Sequence, residues 1–228
     1  MNNTRINFDA IKHSGQLYVH ANWLYYQNPD RGLPILLQRT AALLGIVILS
    51  PLWLLLVIAI RMDSKGSAIY RQLRVGRHGQ CFAFYKFRTM YCDDDPNYIK
   101  PDPKDSSRDG ICLKFKNDPR ITRIGGFLRR SSIDELPQLW NVLTGDMALV
   151  GPRPALAQEV AQYSLAQMDR LKVLPGITGI WQISGRADIP FEQQLEMDRQ
   201  YIHSQSALAD IKILLLTIPA VIQAKGAY

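Results

Sequence analysis

Hydrophobic and polar positions divide this chain unevenly. Residues 1–32 are polar and mixed, without a clear period. From Ala41 to Ile60, twenty residues carry no charge. At roughly 1.5 Å of rise per residue they are just long enough to cross a hydrocarbon core about 30 Å thick. No face from Leu43 to Ile60 is polar, which argues against the core helix of a soluble protein. The run begins too far along the chain and is too long for a secretory leader, and no small-x-small cleavage site precedes Arg61. Ser50-Pro51 stand at its centre. Pro51 removes an N–H and crowds the carbonyl four residues back, so the helix bends near its midpoint, and the Ser50 hydroxyl can answer the freed carbonyl. Both flanks are basic, with Arg31 and Arg39 before the run and Arg61, Lys65, Arg71, Arg74 and Arg77 after it. Positive flanks favour the cytoplasmic side, so a simple span fits poorly. A re-entrant helix that enters, breaks at Ser50-Pro51 and returns accounts for both facts.

Beyond the apolar run, Ala68–Val75 and Cys81–Phe87 flank Gly76-Arg77-His78-Gly79 and predict a β-hairpin closed by a glycine turn. Tyr91–Gly110, rich in Asp, Pro and Ser, reads as a long surface loop, with Asp93, Asp94 and Asp95 pointing to water. The stretch Gly125–Leu149 is mostly helical around a polar start. Leu156, Val160 and Tyr163 fall at helical spacing within Ala155–Leu174, and Phe191, Leu195 and Ile202 mark another amphipathic helix. Ile211–Ile222 is apolar but too short to span, and is expected to lie in a membrane interface or against the first apolar helix. Trp23, Tyr25 and Tyr26 are of the kind that sits at such an interface.

Composition narrows the chemistry. At 47% the hydrophobic content is ordinary, so the apolar excess is local. The net charge of +7 favours an anionic partner: phosphorylated substrates, anionic head groups or nucleic acid. Three cysteines without a C-x-x-C pair, and four scattered histidines, give no disulfide framework and no zinc or histidine cluster.

The densest polar cluster is Arg129-Arg130-Ser131-Ser132-Ile133-Asp134-Glu135-Leu136-Pro137. One reading is a helix start, with Ser132 and Glu135 as a capping box or Asp134 as the cap and Pro137 in the first turn. The other is chemical: a helix start favours anions, two adjacent carboxylates can divide nucleophilic and supporting roles, and nearby arginines can neutralise a diphosphate. Arg153 stands between Pro152 and Pro154 on a stiffened backbone that suits aiming a guanidinium. Lys86 and Arg88 end the second hairpin strand and can face the same site.

Five segments then occur in order: Lys86-Phe87-Arg88-Thr89-Met90; Ser132-Ile133-Asp134-Glu135-Leu136-Pro137-Gln138; Asn141-Val142-Leu143-Thr144-Gly145-Asp146-Met147; Leu149-Val150-Gly151-Pro152-Arg153-Pro154; and Pro175-Gly176-Ile177-Thr178-Gly179. Together they resemble the bacterial sugar transferase family, the monotopic phosphoglycosyl transferases, from about Leu33 to the C-terminus. The resemblance implies transfer of a phospho-sugar from a UDP-sugar to a polyprenyl phosphate, typically undecaprenyl phosphate, at the cytoplasmic face of the bacterial inner membrane. It places a covalent nucleophile at Asp134, its dyad partner at Glu135, Mg²⁺ at Asp134, and phosphate-holding groups at Arg129 and Arg153, with Lys86 and Arg88 beside them. It also places a re-entrant break at Ser50-Pro51. Where the family often has Gly-Trp-Ala-Gln, this chain has Gly179-Ile180-Trp181-Gln182.

The expected fold is α+β, a helix-rich single catalytic domain with a small antiparallel β-hairpin or sheet and one re-entrant membrane helix broken at Ser50-Pro51. Residues 1–32 form an N-terminal extension, 33–62 the re-entrant helix and 63–228 the catalytic domain. The expected partners are a UDP-sugar donor, a polyprenyl phosphate acceptor and membrane lipid, with no nucleic acid; a homo-oligomer is compatible with the chain. Competing classes are a membrane-anchored basic binding module without catalysis, and a glycosyl transferase that releases UDP instead of UMP.

Overall fold

The computed structural model describes residues 31–102, 104, 106, 115, 117–224 and 226. The aromatic residues Trp23, Tyr25 and Tyr26, and most of the expected 1–32 extension, lie outside the described residues. The described chain is α+β, as its pattern predicts. It opens with a 29-residue helix, α1 (Ile35–Asp63). The hairpin follows as β1 (Ile69–Val75) and β2 (Cys81–Phe87), paired antiparallel from Ile69 opposite Phe87 to Val75 opposite Cys81. His78, with φ 57°, and Gly79, with φ 76°, turn the chain between the strands.

Two helices flank the acidic cluster, α2 (Arg123–Arg130) and α3 (Gln138–Thr144). Thr122 caps α2 by accepting from the Gly125 N–H at 2.9 Å, and Gly145, with φ 90°, closes α3 in the left-handed conformation that glycine adopts without strain. The remaining elements are β3 (Ala148–Val150), α4 (Ala157–Val160), β4 (Gly176–Thr178), α5 (Ile180–Ser184), α6 (Phe191–Ser204) and α7 (Ala207–Gln223).

Two local expectations change, and one strand pair was not anticipated. The helical spacing of Ala155–Leu174 yields only the four-residue α4 and a 3₁₀ segment, Gln167–Lys172, because Val160, Met168 and Leu171 pack separately around Val75 and Ala155. Ser132 caps nothing: it is itself left-handed (φ 56°, ψ 15°), and Pro137 occupies the N-cap of α3 with helical dihedrals. A second, parallel pair joins β3 to β4, which local alternation cannot reveal because its partners lie far apart in sequence. The pairing is close, and a Cβ on Gly176 would collide with the backbone nitrogen of Gly151.

The helix α1 is helical throughout, so Ser50-Pro51 do not interrupt it. Pro51 lies inside the helix, and the Ser50 hydroxyl donates to the Val47 carbonyl at 2.8 Å, the acceptor that proline leaves without an N–H. Both ends of α1 grip the same body. Near its start, Ala42 is buried with Phe84, Val142 and Met147, and Gln38 accepts the Leu149 N–H at 2.7 Å. Near its end, Leu56 and Ile60 are buried with Ala68, Phe87 and Leu128. Between these grips the helix is bare: Val47, Ile48, Leu54 and Leu55 are exposed, and its most apolar 18-residue window is only 6% buried. By length and composition α1 can cross a membrane, and its exposure is the opposite of a soluble core helix.

Candidate active site

Asp134 and Glu135 lie on a 3₁₀ turn, Ile133–Glu135, between α2 and α3. Ile133 and Leu136 pack toward the cluster that holds the end of α1, so the apolar side of the turn is anchored and the acids face away from it. The α2 helix sits tightly on the chain leaving β2: a Cβ on Gly125 would collide with the Thr89 carbonyl, and the Thr122 N–H donates to that carbonyl at 3.1 Å. This contact sets the dyad against the second hairpin strand.

Lys86, on that strand, reaches both acids. Its Nζ lies 3.2 Å from Asp134 Oδ2 and 2.7 Å from Glu135 Oε1. Arg153 approaches from the Pro152-Arg153-Pro154 turn, with Nη1 at 3.3 Å from Glu135 Oε1. Arg129 donates from Nε to Thr89 Oγ1 at 2.9 Å and adds a positive charge near Asp134. The structure therefore brings Asp134, Glu135, Lys86, Arg129 and Arg153 around one cavity of about 980 Å³.

Arg88 departs from expectation. It borders the cavity, but its guanidinium is committed elsewhere: Nη2 donates to the Ser64 carbonyl at 2.8 Å and the Ile60 carbonyl at 3.4 Å. A buried cation at the last carbonyls of α1 complements the helix dipole and fixes the helix end. Alternation would put Arg88 on the same face as Lys86, but β2 ends at Phe87 and the Arg88 guanidinium meets the carbonyls at the end of α1 instead. Its geometry is that of a helix clamp, not of a phosphate ligand.

The two acids differ electrostatically. Burial pushes Asp134 above the ordinary carboxylate range, Lys86 opposes it, and the neighbouring Glu135 charge reinforces it. Burial would raise Glu135 as well, but the charges and hydrogen bonds of Lys86 and Arg153 outweigh it and hold Glu135 down at about 2. One carboxylate is thus locked in its ionised form by two cations, while the other is more basic and correspondingly more nucleophilic when ionised.

Sequence reasoning gave no role to three side chains that build this site. Asn141, fully buried on α3, donates from Nδ2 to the Ala83 carbonyl at 2.7 Å and accepts the Tyr85 N–H at 3.3 Å, tying α3 to the open edge of β2. Its signal was a polar residue among apolar helix positions. Arg170 and Asp198 form a buried ion pair at 2.5 Å, and Arg170 also donates to the Arg153 carbonyl at 3.1 Å, pinning the Arg153 turn from behind. These two are 28 positions apart, and nothing local couples them.

Among the described residues, no group of three or more His, Cys, Asp or Glu gathers to hold a metal by itself. The donor set does fit a hard cation held by one carboxylate and by substrate oxygens: Asp134 uses Oδ2 for Lys86, and Oδ1 takes no hydrogen bond from the described residues.

The family model described as bacterial sugar transferase matches residues 31–224. The galactosyl transferase CpsE of Streptococcus agalactiae serotype III is 48% identical over 193 residues, covering 84% of this chain and 42% of CpsE. The exopolysaccharide production protein ExoY of Rhizobium meliloti is 40% identical over 193 residues, covering 82% and 84%. The undecaprenyl-phosphate galactose phosphotransferase of Salmonella typhimurium is 41% identical over 199 residues, covering 84% and 42%. The chain thus spans less than half of CpsE and of the Salmonella protein but most of ExoY. The match encloses α1, the hairpin, the dyad turn and the Arg153 turn in a single block, and the chain belongs to the bacterial sugar transferase family.

Proposed function

We propose that this chain transfers a sugar-1-phosphate from a UDP-sugar to a polyprenyl phosphate through a covalent intermediate on Asp134. The observation that carries the reading is the asymmetric dyad: a basic, buried Asp134 beside a Glu135 held ionised, with Lys86 between them and Arg153 and Arg129 at the rim. The Salmonella relative is named for transfer of a phosphosugar to undecaprenyl phosphate, which supports the substrate class.

Attack on a diphosphate needs charge neutralisation more than proton transfer, because the transferring group already bears anionic oxygens. An ionised Asp134 oxygen forms a bond to the phosphorus that carries the sugar. The bond from that phosphorus to the bridging oxygen breaks, and UMP leaves with the bridging oxygen and its electron pair. Lys86, Arg129 and Arg153 supply fixed positive charge to the phosphoryl oxygens in both ground and transition states. In the second half, an oxygen of the polyprenyl phosphate bonds to the same phosphorus and the Asp134 carboxylate is released. Mg²⁺, bound by Asp134 together with the diphosphate, would add further charge neutralisation. Splitting the reaction lets a water-soluble donor and a lipid acceptor use one cavity in turn.

The acceptor requires a membrane, and α1 supplies the contact. Gln38 and Ile60 would lie about 33 Å apart along a straight helix, yet both are buried against the same body. A simple crossing would carry one of those grips to the far side. In this reading α1 stays helical but bends at Pro51, so that it enters and returns on one side, and its basic flanks favour the cytoplasmic side. Initiation of an exopolysaccharide or related lipid-linked glycan follows from such a product.

The test is intact-mass analysis of the chain with a panel of UDP-sugars, followed by nucleotide identification. A hexose-phosphate adduct on the Asp134 peptide with UMP release is expected. Asp134→Asn should abolish both, and Glu135→Gln should retain some adduct. Release of UDP, or turnover by Asp134→Asn, would refute the proposal.

A further inference from the structure

The dyad cavity is polar around Lys86 and Arg153 but has one apolar corner, formed by Leu136, Leu139, Ile177, Trp181 and Val221, with Thr217 beside them. This corner adjoins the membrane helix. A Cβ on Gly45 of α1 would lie 3.3 Å from Leu139 Cδ1, so α1 passes directly behind that wall. Across the corner, α7 is fixed to β4 through the Thr178 and Thr217 hydroxyls at 2.8 Å, which brings Val221 to the cavity. The same two helices also carry exposed aliphatic side chains: Ile218 and Ile222 on α7, and Leu43, Leu44 and Val47 on α1. The cavity lining thus joins paired cations to aliphatic side chains on α3 and α7, and both α7 and the α1 helix behind that wall carry bare aliphatic residues.

Neither a nucleotide nor a sugar has an aliphatic chain to place there. A polyprenyl phosphate has both parts, an anionic head for Lys86 and Arg153 and an aliphatic tail for the corner. We propose that the Leu139–Ile177–Val221 corner is the entry channel for the first isoprene units of the acceptor, with α7 as its outer wall. The inference rests on the function proposed above and adds the acceptor subsite and its residues. Occupancy by the tail makes this corner matter only in the second half-reaction.

The experiment uses the full chain in detergent micelles, with the UDP-sugar that loads Asp134 and with undecaprenyl phosphate. Val221→Glu sets a charge in the channel at a half-buried position near the end of α7. It should load Asp134 at the parental rate while KM for undecaprenyl phosphate rises at least about tenfold, the effect of one unfavourable group in an apolar pocket. Should that variant lose loading, Val221→Trp, which fills the corner without charge, carries the same comparison. Leu208→Glu, 80% exposed on the same helix and outside the cavity, is the reference and should leave KM unchanged. A parental KM in the Val221 variants overturns the channel, and so does an equal rise with Leu208→Glu, which would make α7 a general lipid-facing surface. Absence of the adduct in the parent chain overturns the proposed function, and the channel with it.

Discussion

Asn141 offers a sharp test of how the fold aims the dyad. The residue is fully buried, and its side chain answers two main-chain groups on the open edge of β2, the Ala83 carbonyl at 2.7 Å and the Tyr85 N–H at 3.3 Å. In Asn141→Ala both groups lose their partner inside the body. Each unsatisfied buried group costs about 1–3 kcal/mol, so the variant should lose ~2–6 kcal/mol of stability, toward the lower end because both groups are only part-buried and a water can enter the vacated space. The effect should extend to chemistry. Lys86 follows Tyr85 on that strand, and α3 begins just after the dyad turn, so Asn141 sets the spacing between cation and carboxylates. A misplacement on the order of 1 Å at a reacting centre can cost about 10²-fold. Denaturant unfolding in detergent should show a lower midpoint with an unchanged slope. Adduct formation under saturating donor should be at least about tenfold slower, with little change in donor KM. A midpoint within ~0.5 kcal/mol of the parent, together with a parental adduct rate, would refute this reasoning.

Two further outcomes follow from the site. Lys86 lowers the Asp134 pKa and Glu135 raises it, so adduct formation should fall on acidification as Asp134 takes up a proton above the ordinary carboxylate range. Lys86→Met should move that acid limb to higher pH and Glu135→Gln to lower pH, measured as adduct yield against pH; shifts of the same sign would contradict the assignment. Arg88→Ala should cost about 2–3 kcal/mol of stability by removing a charged hydrogen bond from the end of α1, while adduct formation per folded molecule stays near parental. Arg153→Ala should do the reverse, slowing adduct formation with little change in the unfolding midpoint.

How much of this was legible beforehand depends on the range over which each signal acts. The hairpin was readable because period-two alternation and a glycine turn are local, and the observed strands fall within the expected ones. The proline-bearing apolar helix was readable from uncharged length, and the Ser50 bond to Val47 is a consequence of covalent geometry at Pro51. Asp134, Glu135, Lys86, Arg129 and Arg153 were all nameable from motifs in series, and the fold gathers them around one cavity. The helix-end contact of Arg88 was hidden for an equally physical reason: a charge beside a strand end looks the same in sequence whether it meets a substrate or a helix terminus.

The amino-acid order by itself determined the hairpin, the apolar anchor and the amphipathic helix at Phe191–Ser204, because backbone sterics and the separation of oil from water act within a few residues. It also determined the chemical inventory of the site. Only the tertiary structure decided that both ends of α1 return to one body, that a parallel strand pair joins residues 148–150 to 176–178, and that Arg170 and Asp198 brace Arg153 from behind. Those outcomes depend on contacts between positions far apart along the chain. The free energy of such contacts is fixed by packing and burial, which no local stretch of sequence contains.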